Sequence, residues 1–204
     1  MPTTSPTDEL RRLSRDAGAC TACELHVDAT QTVFGEGPAG AWLMLVGEQP
    51  GDREDREGAP FVGPAGRLLD KALDEAGIHR DEVYVTNAVK HFRFETSGNR
   101  RLHKTPAAGH VRACRPWLDG ELAAVRPAVV GTLGATAAKA LLGSSFRITA
   151  ERGRPRDWEG HRLVATAHPS AVLRMPSDRR GEAFDALVAD LAVMAGEHPG
   201  RRKR

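Results

Sequence analysis

The chain has 204 residues, 40% of them hydrophobic and 27% charged, which is the balance of a globular domain and excludes a wholly disordered chain. A net charge of +2 neither demands nor excludes a nucleic-acid partner. No apolar run reaches the ~18–20 residues of a membrane span. The segment Met1 to Asp8 lacks the apolar core of a secretory signal, so we expect a cytoplasmic protein. We expect a disordered tail at 1–7, one domain at 8–196 and a basic tail at 197–204.

Short apolar runs predict buried strands, and apolar residues at helical spacing predict helices between them. The predicted strands cover residues 42–46, 83–89, 128–133 and 163–167. The predicted helices cover residues 8–17, 66–76, 107–125, 135–142 and 179–195. Thr7 is the candidate N-cap of the first helix, and Pro116 is expected to kink or split the third. This alternation predicts an α/β fold, a three-layer αβα sandwich around a mainly parallel sheet of four strands.

In such sheets, ligands bind beyond the carboxyl ends of the strands. The segments that follow the predicted strands begin at Gly47, Asn87, Gly134 and His168. Three of these four segments carry groups suited to acid–base chemistry or to base recognition. The sequence therefore predicts the functional site at this edge of the sheet.

The chain has three cysteines, and two of them, Cys20 and Cys23, form a C-x-x-C pair. In a cytosolic chain this pattern favours a metal, cluster or redox site over a disulfide framework. Cys114 offers a third thiolate, whereas a cluster or a tetrahedral metal ion needs four ligands.

Four motifs resemble those of the iron–sulfur uracil-DNA glycosylases of family 4. They are Glu48-Gln49-Pro50-Gly51, Pro60-Phe61-Val62-Gly63-Pro64-Ala65-Gly66, Thr86-Asn87-Ala88-Val89-Lys90 and His168-Pro169-Ser170. The resemblance runs from about Cys20 to Leu191 and implies a uracil-DNA glycosylase-like fold.

The segment from Asn99 to Pro106 resembles the Arg- and His-bearing loop of the X-type uracil-DNA glycosylases. Members of that group trap DNA covalently through the loop histidine after releasing uracil. This chain has Asn99 where Lys is expected and Leu102 where Ile is usual, while Arg101 and His103 match the loop.

The resemblance also implies a fourth cluster ligand, because His91 stands where family 4 has a ligating cysteine. We therefore expect Cys20, Cys23, His91 and Cys114 to hold a [4Fe–4S] cluster. Two alternatives stay open at this point. The same set suits a structural zinc ion, and His26 could replace His91 as the fourth ligand.

For the base pocket, the resemblance implies that Phe61 stacks on the flipped uracil and that Asn87 discriminates uracil from cytosine. The Asn87 amide offers the acceptor and donor that match uracil N3–H and O4. His168 is expected to hydrogen-bond uracil O2 as negative charge develops there. The backbone around Gln49 completes this shell, and Gly47 and Gly51 let the chain approach the base closely. Taken alone, Asn87 and His168 are equally compatible with ordinary strand-end residues, and Phe61 with a loop anchor.

The chemistry is assigned to side chains near the sugar. We expect His103 to capture C1′ as a nucleophile, and Glu48 either to polarise a water or to orient and deprotonate His103. Asp52 is a secondary catalytic candidate. Both carboxylates could instead be capping groups or ion-pair partners of Arg53 and Arg56.

Basic side chains are expected to form a local positive face that binds DNA. This face comprises Lys90, Arg93, Arg100, Arg101, Lys104 and Arg174. Arg101 could hold either the loop or a phosphate. Lys104, Ser170 and Arg174 are the other predicted DNA contacts.

The leading hypothesis is a monomeric uracil-DNA glycosylase, favouring single strands, that releases free uracil and becomes linked to the abasic site through His103. The nearest alternative is a turning-over family 4 hydrolase in which Glu48 directs water. A second alternative is a non-catalytic iron–sulfur protein that binds DNA or senses redox state.

Overall fold

The computed structural model describes residues 5–200. The strands are β1 (Leu43–Gly47), β2 (Val83–Asn87), β3 (Phe94–Ser97), β4 (Arg100–His103), β5 (Val129–Leu133), β6 (Arg156–Trp158) and β7 (His161–Thr166). The helices are α1 (Pro6–Ala17), α2 (Leu25–Asp28), α3 (Asp52–Glu57), α4 (Pro64–Glu75), α5 (Ala108–Val125), α6 (Ala135–Leu142), α7 (Ile148–Glu151), α8 (Pro169–Leu173) and α9 (Ser177–Gly196). In this part of the chain, no helix is long and apolar enough to cross a membrane.

The central sheet has five strands in the order β2-β1-β5-β7-β6. All neighbours are parallel except β6, which pairs antiparallel with β7 at one edge. The predicted α/β class and mainly parallel sheet are confirmed, but the predicted number of strands was wrong. The strand β6 is short, polar and partly exposed, so no apolar run marks it in the sequence.

Successive strand residues face opposite helical layers, as the two-residue repeat of a strand requires. Leu43 and Leu45 belong to a core shared with α4, α8 and α9. Met44 and Val46 belong to a second core, shared with α5 and α6. The central strands are therefore covered on both faces, which explains their continuous apolar sequences.

The first helix begins at Pro6, with Ser5 rather than the predicted Thr7 as its N-cap; the Ser5 hydroxyl accepts from the Asp8 N–H at 3.1 Å. The remainder of the predicted N-terminal tail, residues 1–4, and the end of the predicted C-terminal tail, residues 201–204, lie outside the described residues. Of the two outcomes predicted for Pro116, a kink or a split, the split does not occur, since α5 continues through this residue as one helix.

A second, two-stranded sheet is formed by β3 and β4, which pair antiparallel with Phe94 opposite His103. Gly98 turns the chain with a φ of 57°, a conformation that glycine adopts without steric cost. This hairpin carries the segment that the sequence suggested to be a loop, and it ends beside the carboxyl edge of the central sheet.

Candidate functional site

A cavity of about 780 Å³ lies at the carboxyl ends of the parallel strands. Predicted site residues that line it are Glu48, Gln49, Gly51, Phe61, Asn87, His103, His168, Ser170 and Arg174. Predicted site residues outside this lining are Gly47, Asp52, Arg101 and Lys104. The parallel strands thus bring together side chains that are up to 126 positions apart in the sequence, from Glu48 to Arg174.

The floor of the cavity is built around Phe61, a non-glycine residue held at a φ of 58°. Such backbone strain persists only where the surroundings impose it, and it is frequent at functional sites. A side chain at Gly47 would place its Cβ 2.3 Å from Asn87 Oδ1 and 2.8 Å from Phe61 Cζ. Glycine at 47 therefore allows the end of β1 to approach both predicted base-reading residues. The Phe61 ring lies 6.2 Å from the His168 ring, at an interplanar angle of 25°.

The tautomer of His168 follows from its hydrogen bonds. Its Nδ1 accepts from the backbone N–H of Ser170 at 3.1 Å and lies 2.8 Å from the Ser170 hydroxyl. Burial, together with smaller contributions from the charges of Arg174 and His103, lowers the pKa of His168 to about 4. The ring is therefore neutral at pH 7, and its proton is on Nε2 because Nδ1 is an acceptor. His168 thus presents a neutral N–H donor from the wall of the cavity.

A histidine and a carboxylate face each other at the cavity entrance. Nε2 of His103 lies 3.5 Å from Oε1 of Glu48. The other carboxylate oxygen, Oε2, accepts a hydrogen bond from the Thr136 hydroxyl at the start of α6. Burial lowers the pKa of His103, the Glu48 charge opposes this effect, and the Arg174 charge adds to it. The imidazole is therefore neutral at pH 7 and retains a lone pair, as a nucleophile requires.

Arg101 fixes the hairpin to α3. Its Nε donates to the Asp52 carboxylate, its Nη1 donates to Asp55 at 2.6 Å and to Thr30 at 3.2 Å, and its Nη2 donates to the Asp52 carbonyl at 3.2 Å. The guanidinium also lies 4.9 Å from the Phe94 ring centroid. Of the two roles predicted for Arg101, this geometry favours holding the loop over contacting a phosphate. Asp52 is likewise an ion-pair partner here, not a residue that faces the cavity.

The base of the hairpin is closed by Gln49. Its Nε2 donates to the carbonyls of Arg93 and Lys104, each at 3.1 Å, and its Oε1 accepts from the Arg93 N–H at 3.0 Å. The Gln49 side chain thus joins the ends of the two hairpin strands to the loop after β1, and Gln49 is also one of the residues that line the cavity. The Lys104 ammonium lies 2.7 Å from the Glu95 carboxylate on the neighbouring strand.

Sequence reasoning missed Glu54, which joins two loops of the site. Its carboxylate accepts from the Gly63 N–H at 2.8 Å and from the Gly51 N–H at 3.1 Å. The side chain therefore ties the loop after β1 to the loop that carries Phe61. Its position in a run of charged residues on a short helix gave no signal for this role. Thr136, Thr32 and Asp55 were also missed, because each of them contacts a partner that is distant in the sequence.

Two members of the predicted positive face differ sharply in exposure. Arg174 is exposed at the cavity and has no ion-pair partner among residues 5–200. The placement of Lys90 on this face was wrong, because its side chain is 1% exposed and forms an ion pair with Glu121. The sequence pattern grouped it with surface cations because the carboxylate that pairs with it lies 31 residues away.

The predicted metal ligands lie around the N-terminal segment and the loop after β2. Cys23 packs against a buried cluster that contains Cys114. Burial raises the pKa of the Cys114 thiol, and the backbone N–H and the charge of Lys90 oppose this effect. Cys20 Sγ also accepts from the Trp117 indole N–H at 3.2 Å.

His91 has a buried nitrogen without a hydrogen-bond partner in the described part of the chain, and this atom is Nδ1. Its other nitrogen, Nε2, lies 2.9 Å from the hydroxyl of Thr32, which donates its proton to the Ala17 carbonyl. The hydroxyl must therefore accept from Nε2–H, which leaves a lone pair on Nδ1. A buried, unpartnered lone pair fits a metal ligand.

His26, the alternative ligand, is exposed, and its Nδ1 lies 2.7 Å from the Cys23 carbonyl. Between residues 5 and 200, no three His, Cys, Asp or Glu side chains are grouped closely enough to bind one metal ion as they stand.

The sequence was compared with known proteins. The profile described as the uracil DNA glycosylase superfamily matches residues 34–192, well over half of the chain. A Type-4 uracil-DNA glycosylase of Thermotoga maritima is 42% identical over 161 residues, which cover 78% of this chain and 80% of the relative. Proteins of the same name from Pyrobaculum aerophilum and Archaeoglobus fulgidus are 36% and 35% identical, over 92% and 93% of this chain and 94% and 95% of theirs. The chain therefore belongs to the uracil-DNA glycosylase superfamily.

Proposed function

We propose that this protein excises uracil from DNA and then becomes covalently linked to the abasic site through His103. The observation that carries the proposal is the pair of His103 and Glu48 at the entrance of a cavity lined by Phe61, Asn87 and His168. The superfamily membership and the Type-4 uracil-DNA glycosylases among its relatives support the first step. The X-type loop resemblance supports the second.

In the first step, the extruded uracil stacks on Phe61 while the Asn87 amide reads its N3–H and O4. The Asn87 side chain has no hydrogen-bond partner among the described residues, so its donor and acceptor are free for the base. The bond between N1 and C1′ breaks, and its electron pair leaves with the uracil. The neutral Nε2–H of His168 stabilises the charge that forms at O2.

In the second step, a lone pair of the neutral His103 imidazole attacks the electron-poor C1′. One C–N bond forms, and the imidazole proton passes to Glu48 as the link becomes neutral. An alkylated imidazole is a poor leaving group, so the protein acts once. Arg101 and Gln49 hold the hairpin against α3 and the β1 loop, and so keep His103 beside the sugar.

The turning-over hydrolase is the second candidate, because Glu48 could equally direct a water at C1′. A denaturing gel of the protein with a labelled uracil-containing strand distinguishes covalent capture, hydrolysis and non-catalytic binding. A heat-stable, uracil-dependent band of lower mobility supports covalent capture. Alkali-labile abasic sites without that band indicate the hydrolase, and neither product indicates the non-catalytic binding protein. Duplex and single-stranded substrates in the same assay test the predicted preference for single strands.

We further propose that Cys20, Cys23, Cys114 and Nδ1 of His91 hold a [4Fe–4S] cluster. The ligand set is supported by the unpartnered Nδ1 of His91, by the packing of Cys23 against the cluster that contains Cys114, and by the hydrogen bond from Trp117 of α5 to Cys20. A cluster contacts its ligands through separate irons, so its ligands are spread more widely than those of a single ion. Its role when bound is structural, since it joins the N-terminal segment to the loop after β2.

The cluster proposal is tested by iron, sulfide and zinc analysis of protein purified without oxygen. His91→Cys should retain iron and sulfide, whereas His91→Ala should lose them. His26→Ala serves as the matched control and should leave the iron content unchanged. Stoichiometric zinc without sulfide would identify the structural zinc site instead, and iron loss only in His26→Ala would identify His26 as the ligand.

A further inference from the structure

A buried ion pair lies behind the residue that faces the base. The side chains of Lys90 and Glu121 are 1% and 0% exposed, and Nζ lies 2.6 Å from Oε2. Neither residue is among those that line the cavity. Removing two charges from water costs about as much as their attraction returns, so a buried pair is weak evidence for a gain in stability. The role of the pair is therefore better judged from the groups that it holds in position.

Glu121 is held from several directions. Its carboxylate accepts from the Gly35 N–H at 2.9 Å, from the Tyr84 hydroxyl at 3.1 Å and from the Thr86 hydroxyl at 2.9 Å, in addition to Lys90. A Cβ at Gly35 would lie 2.4 Å from the carboxylate, so the chain there approaches as closely as glycine allows. The charge is fully hydrogen-bonded, and its position is fixed by α5, β2 and the segment before β1.

Lys90 uses all the donors of its ammonium group within the protein. Nζ donates to Glu121, to the Thr86 hydroxyl at 2.6 Å and to the main-chain carbonyl of Asn87 at 2.9 Å. The backbone N–H of the same residue donates to Cys114 Sγ at 3.4 Å. The Lys90 side chain thus folds back onto Thr86 and Asn87, the last two residues of β2, and holds the turn that follows this strand.

We propose that Lys90 and Glu121 are positioning residues for uracil selection. Glu121 fixes the ammonium group, and the ammonium group fixes the carbonyl of Asn87, so that the Asn87 amide meets the uracil edge at the correct height and angle. The pair acts on the base only through Asn87. This inference rests on the proposed function, because it assigns Asn87 as the base reader.

The test compares Lys90→Met, Glu121→Gln and the double variant, which leaves no unpaired buried charge. Three quantities are measured: the single-turnover rate of uracil release, the ratio of the dissociation constants of free cytosine and free uracil, and the melting temperature. We expect the release rate to fall about 10²-fold, as for a misplacement of about 1 Å. The base-selectivity ratio should fall toward unity, because uracil loses a contact that cytosine never had.

Arg162→Met is the matched control. It removes ion pairs with Asp157 on the edge strand β6 and with Glu197 at the C-terminal end of α9, and neither residue lines the cavity. Its release rate and base selectivity should equal those of the wild type even where its melting temperature is lower.

A folded double variant with wild-type release and selectivity would overturn the inference. So would a fall in melting temperature with unchanged selectivity, which indicates a purely structural pair. Absence of uracil release from the wild type would instead overturn the proposed function and, with it, this inference.

Discussion

His103 and Glu48 face each other across the cavity entrance, with Nε2 of the ring 3.5 Å from Oε1 of the carboxylate. The two residues come from different sheets, His103 from the end of the hairpin and Glu48 from the loop after β1. Their approach depends on Arg101 and Gln49, which anchor the hairpin, and on Thr136, which binds the far carboxylate oxygen. Under the proposed function, the arrangement places a neutral imidazole beside a proton acceptor.

Replacing His103 by Ala should abolish the heat-stable protein–DNA band and leave uracil release intact. Under the proposed function, His168, Phe61 and Asn87 bind the base, whereas His103 acts only on the sugar that remains. The measurement is a denaturing gel run beside an assay for abasic sites. His79→Ala is the control, since that histidine is exposed and caps nothing with its side chain. A covalent band that survives in His103→Ala would assign the nucleophile to another residue.

Glu48→Gln should slow the covalent step by about 10²–10⁴-fold, the usual contribution of a positioned acid–base group. Thr136→Val should have a smaller effect in the same direction, because the carboxylate keeps its charge and loses only the hydrogen bond that orients it. Rapid-quench kinetics of band formation measure both. Equal effects of the two substitutions would show that orientation, and not proton uptake, is what Glu48 supplies.

The fraction of cleaved sites that become trapped should depend on pH through His103. Capture requires the neutral ring, which predominates above its pKa. Burial lowers that pKa below the usual value of about 6.5, so the neutral form persists to lower pH. We expect the trapped fraction to stay constant from about pH 8 to about pH 6.5, the ordinary pKa of histidine, and to fall only below about pH 6.5. His168, with a pKa of about 4, stays neutral throughout. A fall that begins above the reference value would contradict a lowered pKa.

The sequence predicted the parts of the site that depend on local patterns. Asn87 and His168 follow apolar strands directly, and the order of a parallel sheet brings strand ends to one edge. The short edge strand and the hairpin were missed because their residues are polar and exposed, with no apolar repeat. Their existence depends on pairing with a neighbouring strand, which the sequence does not display.

Ion pairs between residues that are far apart in the sequence could not be predicted either. Arg101 pairs with Asp52 and Asp55 across 49 and 46 residues, and Lys90 pairs with Glu121 across 31. Nothing in the spacing of charges distinguishes such a buried partner from a solvated neighbour. Sequence reasoning therefore placed both cations on one DNA-binding face, whereas burial separates their roles from that of Arg174.

Arg101→Met should reduce covalent capture about 10²-fold, because an unanchored hairpin displaces His103 from the sugar. Uracil release should change less, since Asn87 and His168 stand at the ends of central strands and not on the hairpin. The substitution also leaves Asp55, which is fully buried, without its cation, so unfolding should require about 3–5 kcal/mol less free energy. Arg53→Met, which breaks an exposed pair with Glu57, is the control and should be nearly neutral. Parallel loss of release and capture would argue that the hairpin also shapes the base pocket.

Gly66→Ala should damage the site from within α4. A Cβ at this position would lie 1.5 Å from the Phe61 carbonyl oxygen and 2.9 Å from its Cα. The helix and the strained Phe61 backbone cannot both keep their places, so the ring that stacks on the base must move. We expect a loss of about 1–3 kcal/mol in the free energy of unfolding, typical of an overpacked core, together with slower uracil release.

Gly181→Ala in α9 is the matched helical control, because no atom lies within 4 Å of its added Cβ. That variant should gain up to about 1 kcal/mol from better helix propensity and release uracil at the wild-type rate. Wild-type release in a destabilised Gly66→Ala protein would show that the Phe61 ring does not need this backbone conformation to bind the base.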